Sequence, residues 1–161
     1  MAKNKANDLN LRQLSLSDIK DMVRIEEKCF LERFRFNESI LNSLITRAAA
    51  ETSFAAVYGG KLVGFIIGSI LHDNVGFAEI VTIQVEPKLH RNHIGQRLLS
   101  YFETQLKKFY ETKTVILQVY YKNEAAISFY EANGYYLEKR IRNYYGREDH
   151  ALLMKKTLTR S

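Results

Sequence analysis

Glu79-Ile80-Val81-Thr82-Ile83-Gln84-Val85-Glu86-Pro87-Lys88-Leu89-His90-Arg91-Asn92-His93-Ile94-Gly95 is the stretch on which the fold turns. Residues Glu79 to Val85 alternate in polarity and read as a strand, with Glu79, Val81, Ile83 and Val85 expected on one face. Glu86 to Gly95 then crowds basic and amide side chains into a turn. Beyond it Ile94, Leu98, Phe102, Leu106 and Phe109 recur at helical spacing, predicting a helix to Tyr110 with that stripe buried. A strand that empties through such a turn into a helix start makes an anion cradle. The first helical N–H groups have no partner within the helix, and the helix dipole is positive there.

The chain has 161 residues, which suits one domain able to bury roughly two thirds of its unfolded surface. Hydrophobic residues are 46% and charged residues 26% of the sequence, a globular rather than a disordered balance. The single cysteine, Cys29, excludes an internal disulfide framework and a multi-cysteine zinc site. The longest apolar run, Leu62 to Leu71, is too short to span a bilayer, and no signal peptide is evident. A soluble, cytoplasmic protein is therefore expected. The net charge of +6 suits either a solubilising surface or an anionic partner. A phosphorylated cofactor, nucleic acid and a ribosome surface all fit, and charge alone does not choose. His90 and His93, with no Cys or Asp beside them, are poor evidence for a zinc site, and no metal is expected.

The remaining elements follow from spacing and punctuation. Met1 to Asn7 is polar and expected to fray. Leu9 to Leu14 reads as a strand. Ser15 and Asp18 form a capping box for a helix that buries Ile19, Met22, Ile25 and Cys29. An aromatic and charged loop, Phe30 to Phe36, precedes a second helix capped by Asn37, with Ile40, Leu41, Leu44 and Ile45 inward. Gly59-Gly60 joins the strands Phe54–Tyr58 and Lys61–Leu71 as a hairpin. Thr114–Tyr121 is a further strand, and Asn123 caps a short helix that ends at a left-handed Asn133-Gly134 pair. Tyr135–Tyr144 and Glu148–Leu158 complete the order β-α-α-β-β-β-α-β-α-β-β. That order implies an α/β (α+β) fold with a mixed sheet covered on both faces.

Three blocks between Ile80 and Leu158 resemble the GNAT superfamily of N-acetyltransferases, most closely the N-terminal (RimI-like and archaeal N-alpha) enzymes. His90-Arg91-Asn92-His93-Ile94-Gly95 is similar to the family's phosphate loop, R/Q-x-x-G-x-G/A, with His90 and His93 replacing the usual Arg or Gln and the first Gly. Asn123, Ala126, Tyr130, Gly134 and Tyr135 fit N-x-x-A-x-x-x-Y-x-x-x-G-[FY]. Asn143-Tyr144-Tyr145-Gly146-Arg147-Glu148-Asp149 resembles the Tyr-Tyr run of the N-terminal acetyltransferases. The residues that usually separate Tyr-Tyr from Gly are missing and His150 is inserted, so a short loop is expected there.

The resemblance implies one GNAT domain over residues 1–161 that moves acetyl from acetyl-CoA to a protein or peptide N-terminal amine. Ile83, Gln84 and Val85 would pair with the pantetheine arm, and a backbone N–H near Val85 would hold the thioester oxygen. Arg91, Asn92, His93, Ile94, Gly95 and Gln96 would bind the pyrophosphate, with Arg97 as a further phosphate contact. Asn123 and Tyr130 would meet the thiol end. Tyr130 is the expected general acid and Glu79 the expected base, because the RimI-like enzymes carry Glu where this chain has Gln118. Glu32, Phe34, Gln118, Tyr144 and Tyr145 would bind the acceptor, which includes ribosomal proteins or nascent chains. A monomer or weak homodimer is expected, with no membrane contact and no nucleic acid. A GNAT enzyme for lysine side chains or small amines, or a weakly active acyl-CoA-binding module, are the alternatives.

Overall fold

The elements of the computed structural model come in the expected order. The structure describes residues 8–47 and 51–159; the expected fraying of Met1 to Asn7 lies outside them. The strands are β1 (Leu9–Gln13), β2 (Ser53–Tyr58), β3 (Lys61–Ile70), β4 (Phe77–Val85), β5 (Thr114–Tyr120), β6 (Tyr136–Gly146) and β7 (Asp149–Thr157). The helices are α1 (Ile19–Cys29), α2 (Glu38–Arg47), α3 (Ile94–Tyr110) and α4 (Glu124–Ala132).

Capping residues set the boundaries. The Asp18 carboxylate accepts the Ser15 N–H at 2.9 Å and pairs with the Arg12 guanidinium at 2.7 Å, tying β1 to the start of α1. Asn37 Oδ1 accepts the Ile40 N–H at 2.9 Å and opens α2. Gly59 and Gly60 take φ of 57° and 76°, the left-handed pair that a two-residue hairpin needs. Of the Asn133-Gly134 pair only Gly134 is left-handed, at φ 88°.

The strands form one sheet in the order β1-β2-β3-β4-β5-β7-β6, with β4 and β5 parallel and the other neighbours antiparallel. Parallel neighbours need a long crossover, and α3 supplies it. One face of the sheet packs on α3 and α4 around Ile66, Leu98, Phe102, Leu106, Leu117 and Met154. The other packs on α1 and α2 around Met22, Ile25, Leu41, Phe65 and Ile67. A side chain at Gly68 would collide with the Phe102 ring, so this glycine sets how closely α3 lies on β3. Two expected core residues are exposed. Ile40 is displaced because Leu41 and Ile45 take the inward line of α2, and Phe109 lies beyond Leu106, the last fully buried residue of α3. Among the described residues no helix is long and apolar enough to cross a membrane.

Glu26 of α1 is fully buried in the second core. One carboxyl oxygen accepts the Phe36 N–H at 3.2 Å, and the other has no partner among the described residues. Burial lifts its pKa to about 7, against the opposing pull of the Phe36 N–H and of Arg35. A carboxyl whose folded pKa exceeds its unfolded value of 4.5 holds a proton the unfolded chain releases. Stability therefore falls as pH rises from about 4.5 through about 7 and stays low above that. Glu26→Gln keeps an acceptor for Phe36 without the charge. It should raise unfolding free energy at pH 8 by on the order of 2–3 kcal/mol and change it little at pH 4.5, as read by denaturant unfolding at both pH values.

Candidate active site

The two central strands part company. The β4–β5 pairing runs from Phe77 opposite Thr114 to Ile80 opposite Leu117 and ends there, although β4 continues to Val85 and β5 to Tyr120. The cause lies on the other edge of β4. Ile67 of β3 pairs with Thr82 and Gly68 with Ile80, which leaves Val81 as an extra residue. A bulge of this kind bends and twists its strand. It also reverses the alternation of side chains. Ala78 and Ile80 face the α3/α4 core, Val81 faces the α1/α2 core, and Ile83 and Val85 face α3 again. The expectation that Glu79 shares a face with Ile83 and Val85 fails for this reason: Glu79 lies on the α1/α2 side.

Backbone groups follow the same geometry. Glu86 N–H donates to Val63 O at 2.8 Å, toward β3. By strand alternation Gln84 also turns its N–H and C=O to β3, while Ile83 and Val85 turn theirs into the gap beside β5. The Gln84 side chain is buried and donates to Thr82 Oγ1 at 3.1 Å. The Val85 carbonyl accepts from His90 Nε2 at 2.9 Å and Cys29 Sγ at 3.4 Å. These two contacts fix the peptide that carries the strand into the basic turn.

In that turn Arg91 and His93 are left-handed, at φ of 65° and 58°. His93 is the N-cap of α3, and its Nδ1 donates to Gln96 Oε1 at 3.2 Å. Asn92 Nδ2 donates to Leu89 O at 3.1 Å. Left-handed residues before a helix start curl backbone N–H groups into an anion-binding nest, and the first turn of α3 carries no acid to oppose one. A Cβ at Gly95 would touch the Phe129 ring at 3.4 Å and Val85 Cγ2 at 3.7 Å, so the helix start abuts α4 and the open end of β4. Arg97 departs from the expectation: its guanidinium reaches Leu9 O at 3.4 Å, turned to β1.

On the α1/α2 side of the gap, Glu79 is half-buried with the Gln118 amide beside it. Burial raises its pKa and the neighbouring Gln118 amide pulls the other way. Tyr144 Oη donates to Gln118 Oε1 at 3.5 Å, and Tyr145 Oη to Gln118 O at 3.3 Å. A second bulge delivers both tyrosines. Ile141 pairs with Ala151 and Gly146 with Asp149, so β6 residues 142–145 face only His150. Asn143 takes φ 55°, donates its N–H to His150 Nδ1 at 3.0 Å and accepts the Glu148 N–H at 2.9 Å. The inserted histidine thus braces the bulge. Phe34 packs edge-on to Tyr145 at 5.7 Å and against Tyr120 at 5.0 Å. Glu32 is exposed on the same turn and is not drawn into this cluster. The sequence reading missed Tyr120, although its place two residues after Gln118 puts it on the same strand face.

From the opposite side comes α4. Asn123 Oδ1 accepts the Ala126 N–H at 3.2 Å and caps the helix. Tyr130 is buried, edge-on to Tyr135 at 5.6 Å. Burial drives its pKa well above the ordinary phenol range, and nearby Tyr145 adds to the rise. The phenol therefore keeps its proton at neutral pH and lies within electrostatic reach of Tyr145 on the other face.

Comparison with known proteins gives a consistent result. Residues 19–135 match the Acetyltransferase (GNAT) family. The chain is 29% identical to the [ribosomal protein bS18]-alanine N-acetyltransferase of Escherichia coli (strain K12) over 148 residues, covering 89% of this chain and 94% of that one. It is 25% identical to the N-terminal acetyltransferase B complex catalytic subunit NAA20 of Arabidopsis thaliana over 151 residues, 93% of this chain and 86% of that one. The crystal structure of Ard1 from Thermoplasma volcanium superposes with a TM-score of 0.86 at 25% identity, over 95% of this chain and 99% of that one.

The left-handed His93 gives a direct check on the turn. Glycine adopts this conformation freely, whereas a β-branched residue does so at a cost of about 1–3 kcal/mol. His93→Gly should leave the thermal midpoint unchanged or higher and preserve coenzyme A binding. His93→Val should lower the midpoint and weaken binding, measured by thermal unfolding and calorimetric titration.

Proposed function

The chain belongs to the GNAT acetyltransferase family, and from that premise we propose that it acetylates the α-amino group of protein or peptide N-termini. The donor is acetyl-CoA. The observation that carries the reading is the gap where β4 leaves β5, and to it we assign Tyr130 on one side and Glu79 with Gln118 on the other. We read residues 1–161 as one catalytic domain working in the cytoplasm, where a lone half-buried thiol needs no oxidising surroundings.

The residues present suit the donor. The N–H groups of Ile83 and Val85 face the gap as an unpaired strand edge, which an extended amide-bearing chain can join as an added strand. Gln84, held between them by Thr82 and β3, keeps that edge in place. The backbone from Arg91 through Asn92, His93, Ile94, Gly95 and Gln96 would hold the pyrophosphate at the start of α3. The side chains of Asn123 and Tyr130 would line the thiol end. When bound there, acetyl-CoA supplies an acetyl group on a thioester that an amine can attack directly.

The chain's own groups then handle protons and charge. Glu79 accepts the proton of the incoming amine at its carboxylate. Its raised pKa makes it a better base than an ordinary carboxylate, and the Gln118 amide lies beside it. An α-amine with a pKa near 8 is easier to deprotonate than a lysine near 10.4, which matches a carboxylate base. The Val85 N–H is preset toward the gap, where it meets developing negative charge without reorganising. Tyr130 Oη, protonated because it is buried, has a proton to give at the thiol end. Glu32 and Phe34, with Tyr144 and Tyr145, would receive the acceptor's first residues. The family resemblance of the Tyr-Tyr run and the two curated relatives support an N-terminal acceptor, with ribosomal proteins or nascent chains as its source.

Peptides with free or blocked N-termini test the reading directly. Turnover with acetyl-CoA should require the free α-amine, and acetylation confined to lysine side chains or small amines would contradict it. Tyr130→Phe should slow turnover by about 10²-fold or more, where a binding module has no rate to lose. The acid limb of kcat/KM should lie above the ordinary carboxylate range, because Glu79 must lose its proton to act and its pKa is raised. Glu79→Gln should slow the reaction and abolish that limb.

A further inference from the structure

The aromatic wall of the acceptor face is assembled from separate parts of the chain. Phe34 comes from the turn after α1, Tyr120 from β5 and Tyr145 from β6. Their centroids lie 5.0 Å (Phe34–Tyr120), 5.7 Å (Phe34–Tyr145) and 6.1 Å (Tyr120–Tyr145) apart. Each ring touches both others, so the wall keeps its shape only if all three elements stay together. Asp149, the first residue of β7, reaches two of them. Its Oδ1 accepts from Tyr120 Oη at 3.0 Å and its Oδ2 from Arg33 Nη1 at 2.9 Å. Arg33 in turn lies over the Phe34 ring, 4.5 Å from the centroid.

The Arg33 turn is held to its own helix by Arg35, whose guanidinium donates to Phe30 O at 2.6 Å and Glu27 O at 2.9 Å. Among the described residues, Arg33–Asp149 is the one side-chain hydrogen bond that carries this turn across to the β6–β7 hairpin, 116 residues away in sequence. We infer that Arg33, Asp149 and Tyr120 form a latch across the acceptor face. Asp149 acts as a positioning residue: it fixes Tyr120 directly and Phe34 through Arg33, and so sets acceptor affinity without touching the reacting atoms. This rests on the assignment of that face to the acceptor.

The latch should be felt in one kinetic constant. Arg33 is 57% exposed and Asp149 20% exposed, and a pair of that kind supports an effect of about three- to fivefold. Arg33→Ala should raise the KM for acceptor peptide by about that factor, with kcat and the KM for acetyl-CoA unchanged. Asp149→Ala should raise it further, because it releases Tyr120 as well. Adding Arg33→Ala to Asp149→Ala should then cost nothing more, and Arg33→Lys should restore part of the loss. Additive effects, or a lower melting temperature with an unchanged acceptor KM, would overturn the latch.

A second reading needs no turnover. Trypsin should cut after Arg33 several-fold faster in Asp149→Ala than in the parent chain, relative to cleavage elsewhere, because the turn opens more often. An unchanged relative rate would overturn the latch. If no free N-terminal peptide is acetylated by the parent enzyme, the proposed function fails, and the proteolysis decides the latch on its own.

Discussion

One extra residue in one strand controls the rest of this structure. Val81 has no counterpart on β3, so β4 bends away from β5 just after Ile80 meets Leu117. Had the ladder continued, the N–H groups of Ile83 and Val85 would be spent on β5 and the sheet would be closed. The bend leaves them directed into a gap at the centre of the domain, where an unmade hydrogen bond costs about 1–3 kcal/mol unless a partner is found. The strand that loses its neighbour also ends against the start of α3, where Val85 lies beside Gly95, so the open edge and the proposed pyrophosphate cradle lie on one continuous path.

The same bulge separates the two halves of the chemistry. Because it reverses the alternation, Glu79 faces the α1/α2 side while Ile83 and Val85 face α3. In the proposed mechanism the base, Glu79, and the acid, Tyr130, then work from opposite faces of the sheet. Their environments differ in kind as well as in position. Tyr130 is sealed in the core and stays neutral, whereas Glu79 is half-buried with an amide beside it. In that mechanism Gln118 matters because it is not an acid: a second carboxylate at that place would compete with Glu79 for the same proton.

Much of this was legible in the sequence. The order of elements, the hairpin at Gly59-Gly60, the caps at Ser15, Asn37 and Asn123, and the strand-turn-helix at the centre all follow from local spacing and turn chemistry. The bulges were not legible. Val81 is an ordinary strand residue, and nothing in Glu79 to Val85 says where pairing with β5 ends; that depends on registers set by β3 and α3. The placing of Glu79 with Ile83 and Val85 failed there. Residues 142–145 hide a second bulge for the same reason, although the inserted His150 was visible. Tyr120 could have been placed from its spacing to Gln118, whereas the Arg33–Asp149 contact joins positions too distant for any local pattern to connect. Ile40 and Phe109 show the lesser error of extending a helical stripe past the surface that covers it.

The parted edge of β4 is the proposed seat of the cofactor, and backbone amide exchange reads its occupancy residue by residue. On addition of coenzyme A, the N–H groups of Ile83 and Val85 should gain strong protection and shift in an amide NMR spectrum. Those of Gln84 and Glu86, already directed to β3, should change little. Unchanged Ile83 and Val85 amides at saturating coenzyme A, with the perturbation confined elsewhere, would contradict the account.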